Sequence, residues 1–488
     1  MDNELYLGSE TGNSENKISI NLKYANRHGL IAGATGTGKT VTLQGMAEGF
    51  SKEGVPVFLA DVKGDLTGMS APSDMQDFFI ERAKTIGFAD EYQGYGFPMQ
   101  YWDIHGEKGT PVRTTVSEMG PMLLSRLLDL NDTQEGVLNI CFRLADSEGL
   151  LLLDLKDLRS LLVNMSARAS ELSAEYGNVS TASIGSIQRK LLQLEDEGGD
   201  VLFGEPALDL NDFIKTDREG MGVINLLAAE KLIQTPKAYF AFLLWLLSEL
   251  FENLPEVGDQ DKPKFVFFFD EAHLLFADTP KFLVEKIEMI VKLIRSKGVG
   301  VYFITQSPDD IPESVLSQLG NRIQHALRAF TPKQKKAIKL AAETYRENPN
   351  FKVEDAITEM AVGEALVSTL EKKGQPSIVE RVLVRPPYSK LGPLEASVLS
   401  AEISKGYYHD KYKDAVDRES AYEILQKRGE EAAIKAEREK GAEQEQKEKK
   451  RTSSRQTPTE ALVKSVLRSV GSQLGRQLVR GILGALKK

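Results

Sequence analysis

Eight residues near the amino terminus, Gly33-Ala34-Thr35-Gly36-Thr37-Gly38-Lys39-Thr40, fit the phosphate-binding loop pattern at every fixed position. The spacing has a chemical reason. Gly33, Gly36 and Gly38 let successive backbone N–H groups, including those of Thr35 and Thr37, turn inward on a β-phosphate, and a helix starting at Lys39 adds the positive end of its dipole. Lys39 is predicted to reach the β- and γ-phosphates, and the Thr40 hydroxyl to ligate Mg²⁺. A mere glycine-rich turn would share the composition but would not need a strand before it and a helix after it.

A second candidate set lies far along the chain. Asp270-Glu271 directly follows the apolar run Phe265-Val266-Phe267-Phe268-Phe269. In a parallel sheet that position is the carboxyl edge, where ligands bind. Asp270 would hold Mg²⁺ through water, and Glu271 would orient and deprotonate an attacking water. An acidic turn after a core strand is the plainer alternative. Thr305-Gln306 ends the next apolar run, and Gln306 suits the sensing of a γ-phosphate. Asp61, in Asp61-Val62-Lys63-Gly64-Asp65, is either a Mg²⁺ or water-network residue or part of a simple turn. Arg295, just before Gly298, and Arg322, beyond Gln306, are candidates to stabilise developing phosphate charge across a subunit boundary; each could equally be a solvated surface residue.

These groups need strands to carry them. His28–Ala32 reads as a strand ahead of the loop, preceded by a short extended segment at Ile18–Leu22. Val41, Leu43, Met46, Ala47 and Phe50 then repeat at near-helical spacing up to Lys52, Gly54 stops the pattern, and Val55–Ala60 reads as the next strand. Residues 66–215 show helical stretches (Gly120–Asp129, Thr133–Asp146, Leu155–Ser173, Ser183–Glu195) and no repeating strand signal, which predicts a mostly helical insertion. Strands at Gly222–Leu226, Phe265–Phe269 and Gly300–Ile304 alternate with helices at Pro236–Asn253 and Lys281–Ser296. That alternation predicts an α/β fold with a parallel sheet covered by helices on both faces. Ala365–Leu370 and Ile378–Val384 read as a strand pair closing the core. The expected organisation is therefore a core in two parts, 1–65 and 216–388, around the insertion 66–215. A helical extension (389–427), a charged linker (428–451) and a basic amphipathic helix (452–488) would follow.

The 488 residues are 41% apolar and 27% charged, which excludes fibrous and wholly disordered classes. Cys141 is the lone cysteine, so no internal disulfide can form, and no Cys/His cluster has zinc-site spacing. The polar, acidic start Met1-Asp2-Asn3-Glu4 is unlike a secretion signal. The longest apolar run, Ala238–Leu247, falls short of the roughly 20 residues of a membrane span, and a cytoplasmic location is expected. Net charge is −10, unevenly placed: residues 428–451 hold 8 basic and 7 acidic side chains, 452–488 hold 7 and 1, and residues 1–427 carry −17. Phosphate neutralisation needs clustered Lys/Arg, so any nucleic-acid contact must be local, as inside a ring. In the tail, Val463, Leu467, Val470, Leu474, Leu478 and Ile482 recur every three or four residues, with Lys464, Arg468, Arg476 and Arg480 between them. Subunit packing, a membrane surface, nucleic acid and ordinary docking all remain open for this helix.

Taken together, Gly33–Thr40, Asp61–Asp65, Phe265–Glu271 and Thr305-Gln306-Ser307-Pro308 resemble the HerA/FtsK superfamily of ring-forming motor ATPases, nearest to the bacterial HerA-like proteins. Leu319–Arg328 and Gly363–Ser368 look similar too, and the likeness spans roughly residues 5–425. The resemblance implies a RecA-like P-loop core, ATP and Mg²⁺ as cofactors, a homo-hexamer, and hydrolysis coupled to movement along double-stranded DNA. Arg295 matches the arginine-finger position. The 32 residues ahead of Gly33 are too few for the amino-terminal barrel of archaeal HerA helicases, and no FtsK-type winged helix is evident. A motor acting on protein or at a membrane surface, like the superfamily's secretion relatives, is the alternative, and a small-molecule kinase a third reading.

Overall fold

The structure, a computed structural model, describes residues 3–231, 236–258, 260–276, 281–329 and 331–451. The basic amphipathic helix expected at 452–488 lies outside the described residues. Contacts divide the chain into Met1–Tyr422 and Glu423–Lys488.

The first unit is organised by one sheet. Its strands are β1 (Glu4–Glu10), β2 (Asn13–Asn21), β3 (Gly29–Ala32), β4 (Val57–Asp61), β5 (Met99–Asp103), β6 (Thr110–Pro111), β7 (Ile224–Ala228), β8 (Phe265–Phe269), β9 (Val299–Thr305), β10 (Asn321–His325), β11 (Glu364–Ser368) and β12 (Glu380–Val384). Their order is β2-β1-β12-β11-β10-β3-β9-β8-β4-β7-β5-β6. From β10 to β6 every neighbour is parallel, and from β10 to β2 every neighbour is antiparallel.

Side-chain alternation explains why the inner strands are apolar throughout. Phe268 and Tyr302 point to one face, where Phe50 of helix α1 (Lys39–Lys52) meets them at 6.1 and 5.9 Å between ring centroids. Phe58 and Phe267 point to the other face and touch each other at 5.3 Å, with Phe242 of the helix Pro236–Asn253 6.4 Å from Phe58. Both faces are thus covered, and each fully buried phenylalanine contributes about 1.5–3 kcal/mol relative to exposure.

Two parts of the sheet differ from expectation. Of the short extended segment expected at Ile18–Leu22, all but Leu22, which opens a short helical turn, is the end of a nine-residue strand, β2, which pairs with β1 and through it with β12. Between residues 66 and 215, where the sequence carries no repeating strand signal, β5 and β6 extend the parallel sheet beyond β7. Each borrows its place from tertiary pairing, and β6 is only two residues long. The helices of that stretch do form, at Val116–Leu127, Asp132–Glu148, Leu155–Ala167, Ala169–Tyr176 and Thr181–Leu194. The charged stretch 428–451 belongs to one long helix, Ala421–Arg451. Among the described residues no helix is long and apolar enough to cross a membrane.

Candidate functional site

The phosphate-loop sequence follows β3 directly, and its backbone is tied to both neighbouring strands. The Gly33 N–H donates to the Thr305 carbonyl (3.3 Å) at the end of β9, and the Ala34 N–H to the Ala326 carbonyl (2.9 Å) just past β10. Gly36 and Gly38 adopt φ of 76° and 113°, values that favour glycine. Gly33 is required for space: a Cβ there would sit 2.5 Å from His325 Cβ. Lys39 is 7% exposed and donates from Nζ to the carbonyls of Gly33 (2.6 Å) and Ala34 (3.1 Å). Burial, then the charge of Lys63, lowers its pKa. Thr40 stands beside it at the start of α1, on the wall of a cavity of about 560 Å³.

The loop rests on a group that motif spacing does not reveal. His325, fully buried at the end of β10, has Nδ1 2.9 Å from the Glu364 carbonyl and Nε2 2.8 Å from the Thr42 hydroxyl. A carbonyl can only accept, so Nδ1 carries the proton and Nε2 accepts from Thr42. Burial, with the charge of Lys39 assisting, pulls this histidine down to about 4, so it is neutral near pH 7. A further tie runs outward: the Gly363 N–H donates to the Thr37 carbonyl (3.0 Å), and Arg82, in helix α2 (Asp77–Thr85), donates to the carbonyls of Gly363 (2.7 Å) and Val362 (3.2 Å).

Helix α1 is pinned just as firmly. Glu48, fully buried, pairs with Arg385 at 3.2 Å and accepts from the backbone N–H groups of Tyr388 (3.0 Å) and Ser389 (2.9 Å) and from the Ser389 hydroxyl (2.5 Å). Arg385 also donates to the carbonyls of Tyr6 (3.1 Å) and Gly45 (2.5 Å). A buried ion pair persists only when its remaining donors and acceptors are satisfied in this way.

The acid pair ends β8, with β9 between it and β3, at the same carboxyl edge as the loop. Asp270 and Glu271 are 7% and 8% exposed. Glu271 takes a left-handed conformation (φ 47°, ψ 48°), which costs a non-glycine residue about 1–2 kcal/mol and turns its side chain out of the strand register. Lys63 approaches Glu271 Oε1 at 2.5 Å and Asp270 Oδ2 at 3.7 Å. The other Glu271 oxygen accepts from Gln306 Nε2 (3.4 Å) and lies 3.2 Å from His273 Nδ1. For Glu271, burial acts upward, but Lys63 and Gln306 outweigh it and hold the carboxyl below its usual range. Asp270 goes the other way: burial raises it, and the neighbouring Glu271 charge adds to the rise. Lys63 is raised because both carboxylates outweigh its own desolvation.

Asp61, 1% exposed, spends its oxygens on the backbone N–H groups of Lys63 (3.2 Å), Gly64 (2.7 Å) and Leu66 (3.0 Å), and burial pushes it up to about 7. It shapes the loop that presents Lys63. Thr305 donates to Asp310 (2.6 Å), which also accepts from the Ser307 N–H (3.1 Å), and this turn leaves Gln306 exposed beside Glu271.

The two arginines are elsewhere. Arg295 precedes β9 at the amino edge of the sheet, where its charge acts on buried His28. Arg322 lies at the start of β10 and donates to the carbonyls of Leu319 and Leu316, both at 3.1 Å. Neither joins the loop and acid pair of its own chain. Among the described residues no group of three or more His, Cys, Asp or Glu could hold a metal by itself. A Mg²⁺ shared with phosphate oxygens needs fewer protein ligands, and Thr40 and Asp270 suit that role.

Loop strand, glutamine strand and acid strand in the order β3-β9-β8, with the phosphate-loop sequence and the two carboxylates at one carboxyl edge, give the RecA-like P-loop ATPase class. Solved structures with a similar fold include the plasmid coupling protein TrwB in complex with ADP and Mg²⁺ (13% identity, 79% of this chain and 92% of that chain covered, TM-score 0.50). TrwB with a non-hydrolysable ATP analogue gives 13%, 79%, 94% and 0.50, and VirB4 of Thermoanaerobacter pseudethanolicus gives 14%, 78%, 96% and 0.47. At 13% identity the likeness to TrwB is one of fold. No curated protein matches the chain. The family described as helicase HerA-like C-terminal matches residues 7–488, and the chain belongs to this family of P-loop ATPases.

Proposed function

We propose that the protein is an ATP-hydrolysing ring motor that moves along or unwinds double-stranded DNA as a homo-hexamer. The observation that carries the ATPase half is the meeting of Gly33–Thr40, Gln306 and Asp270-Glu271 at one sheet edge, with Lys39 inside the electrostatic field of Lys63 and the acid pair. Backbone N–H groups of the loop and the Lys39 ammonium bind the triphosphate. Thr40 and Asp270 would hold Mg²⁺, which supplies charge neutralisation at the β- and γ-phosphates. Glu271 takes a proton from water as the water's oxygen bonds to the γ-phosphorus and the bond to the β–γ bridging oxygen breaks, giving ADP and phosphate. Gln306, bonded to Glu271, would orient that water or touch the γ-phosphate. Arg295, being at the opposite edge, would serve a neighbouring subunit's site; Arg322, already committed to two carbonyls, is the lesser candidate.

The DNA half rests on family membership. Turnover measured at low salt with and without duplex DNA tests both halves. Lys39→Ala and Glu271→Gln should each cut turnover about 10²–10⁴-fold. DNA that neither binds nor stimulates sinks the translocase half and leaves the ATPase half standing. The charge of −17 over residues 1–427 favours a second reading, a motor for protein cargo or a membrane surface reached through the basic segment 452–488. Flotation of the full chain with anionic liposomes, compared with a chain ending at 451, separates the two.

A further inference from the structure

We propose that the cavity beside the phosphate loop seats the nucleoside by stacking on Phe78 and does not read the edge of the base. The inference rests on reading Gly33–Thr40 as the triphosphate seat and adds which residues hold the other end of the substrate.

The cavity begins at Thr35, Lys39 and Thr40 and ends on an apolar wall brought together from three distant parts of the chain: Phe78 and Phe79 of α2, Val362 ahead of β11, and Pro386 and Leu391 after β12. Its volume of about 560 Å³ is that of a small-ligand site, larger than a phosphate group needs. Phe79 is 7% exposed and anchors α2 in the core, whereas Phe78, its ring centroid 4.1 Å away, is 58% exposed. Val362 is 66% exposed on the same wall. Large apolar side chains left open on a concave surface mark a binding site more often than chance, and an aromatic ring is the platform a base prefers.

The polar side chains of this wall are turned mainly to other parts of the chain. Arg82 gives two of its guanidinium N–H groups to the carbonyls of Gly363 and Val362. Arg385 is committed to Glu48 and to the carbonyls of Tyr6, Gly45 and Pro386. The Gly392 carbonyl accepts from the Gly68 N–H at 3.1 Å. Asp65, whose Oδ1 is buried without a partner, lies in the charge environment of Lys63 and Glu271, at the phosphate end. Strong discrimination between bases requires buried groups that lose a hydrogen bond to the wrong one. A stacking wall supplies no such penalty, because every base presents a π face.

The test uses the full chain, with Mg²⁺-tripolyphosphate as the base-free probe. The wild type should turn over ATP and GTP with kcat/KM within about tenfold of each other, and CTP less well, since a smaller ring stacks less. Phe78→Ala should raise KM for ATP by about 5- to 100-fold while its affinity for tripolyphosphate stays put, and Phe78→Trp should restore the ATP value. Because Phe78 is mostly exposed, the fold should tolerate both changes. A wild-type preference of more than about 10³-fold for ATP over GTP, or equal weakening of ATP and tripolyphosphate in Phe78→Ala, overturns the inference. If the wild type binds neither probe, the phosphate-seat reading itself fails, and this one with it.

Discussion

Acidification should undo the support beneath the phosphate loop, and His325 allows the effect to be sized. Its imidazole has an ordinary value near 6.5 in the unfolded chain and about 4 in the fold, where it is fully buried. The folded value is the lower one, so the stabilisation is present above about pH 6.5 and is lost as pH falls towards 4. At pH 5 the unfolded imidazole is almost fully protonated while the buried one is still mainly neutral, a difference of about 2 kcal/mol relative to pH 7.5. His28, lowered to about 4 by the same cause, adds a similar amount, so the histidine of interest must be isolated by substitution. His325→Gln keeps an acceptor for Thr42 and a donor for the Glu364 carbonyl but cannot titrate. Urea unfolding of both proteins at pH 7.5 and 5.0 should show the wild type losing about 2 kcal/mol more than the variant over that interval. Equal losses would mean that His325 does not sit neutral beneath the loop, and the account of its tautomer would fall.

Two other substitutions probe the acid pair and the loop helix. Lys63→Ala removes the cation that holds Glu271 below its usual range, so the acid limb of kcat/KM against pH should move to higher pH; a limb that stays in place argues that the pair seen here does not govern the base. Glu48→Gln leaves Arg385 buried without its counter-charge and should cost about 3–5 kcal/mol, read as a large fall in thermal midpoint; a shift of less than about a degree would show the pair to be dispensable.

What could be read from the sequence follows from how local each signal is. The phosphate loop is eight contiguous residues whose backbone does the work, and Asp270-Glu271 is marked by the apolar strand before it. The strand pair at 365–384 and most helices between 116 and 194 carry their own periodicity. His325 is different: nothing beside it in sequence says that it underlies the loop, because β10 reaches β3 only through sheet order. Lys63 likewise reads as a turn residue until β4 and β8 are seen as neighbours. The apolar cavity wall joins residues near 78, 362 and 390, a set that no window along the chain contains. Strands β5 and β6 were hidden because β5 mixes polar and apolar residues and β6 contains proline.

The two outermost strands bear on how copies of this chain could meet. At one margin β2 exposes Asn13, Ser14, Glu15, Asn16 and Lys17, polar residues that discourage another strand from adding on. At the other, β6 is two residues long and Pro111 offers no N–H. With growth blunted left and right, a ring of such subunits would have to be joined by helix and loop surfaces instead of a shared sheet. Joints of that kind can loosen and re-form with each turnover without disturbing the hydrogen-bonded ladder inside any one subunit.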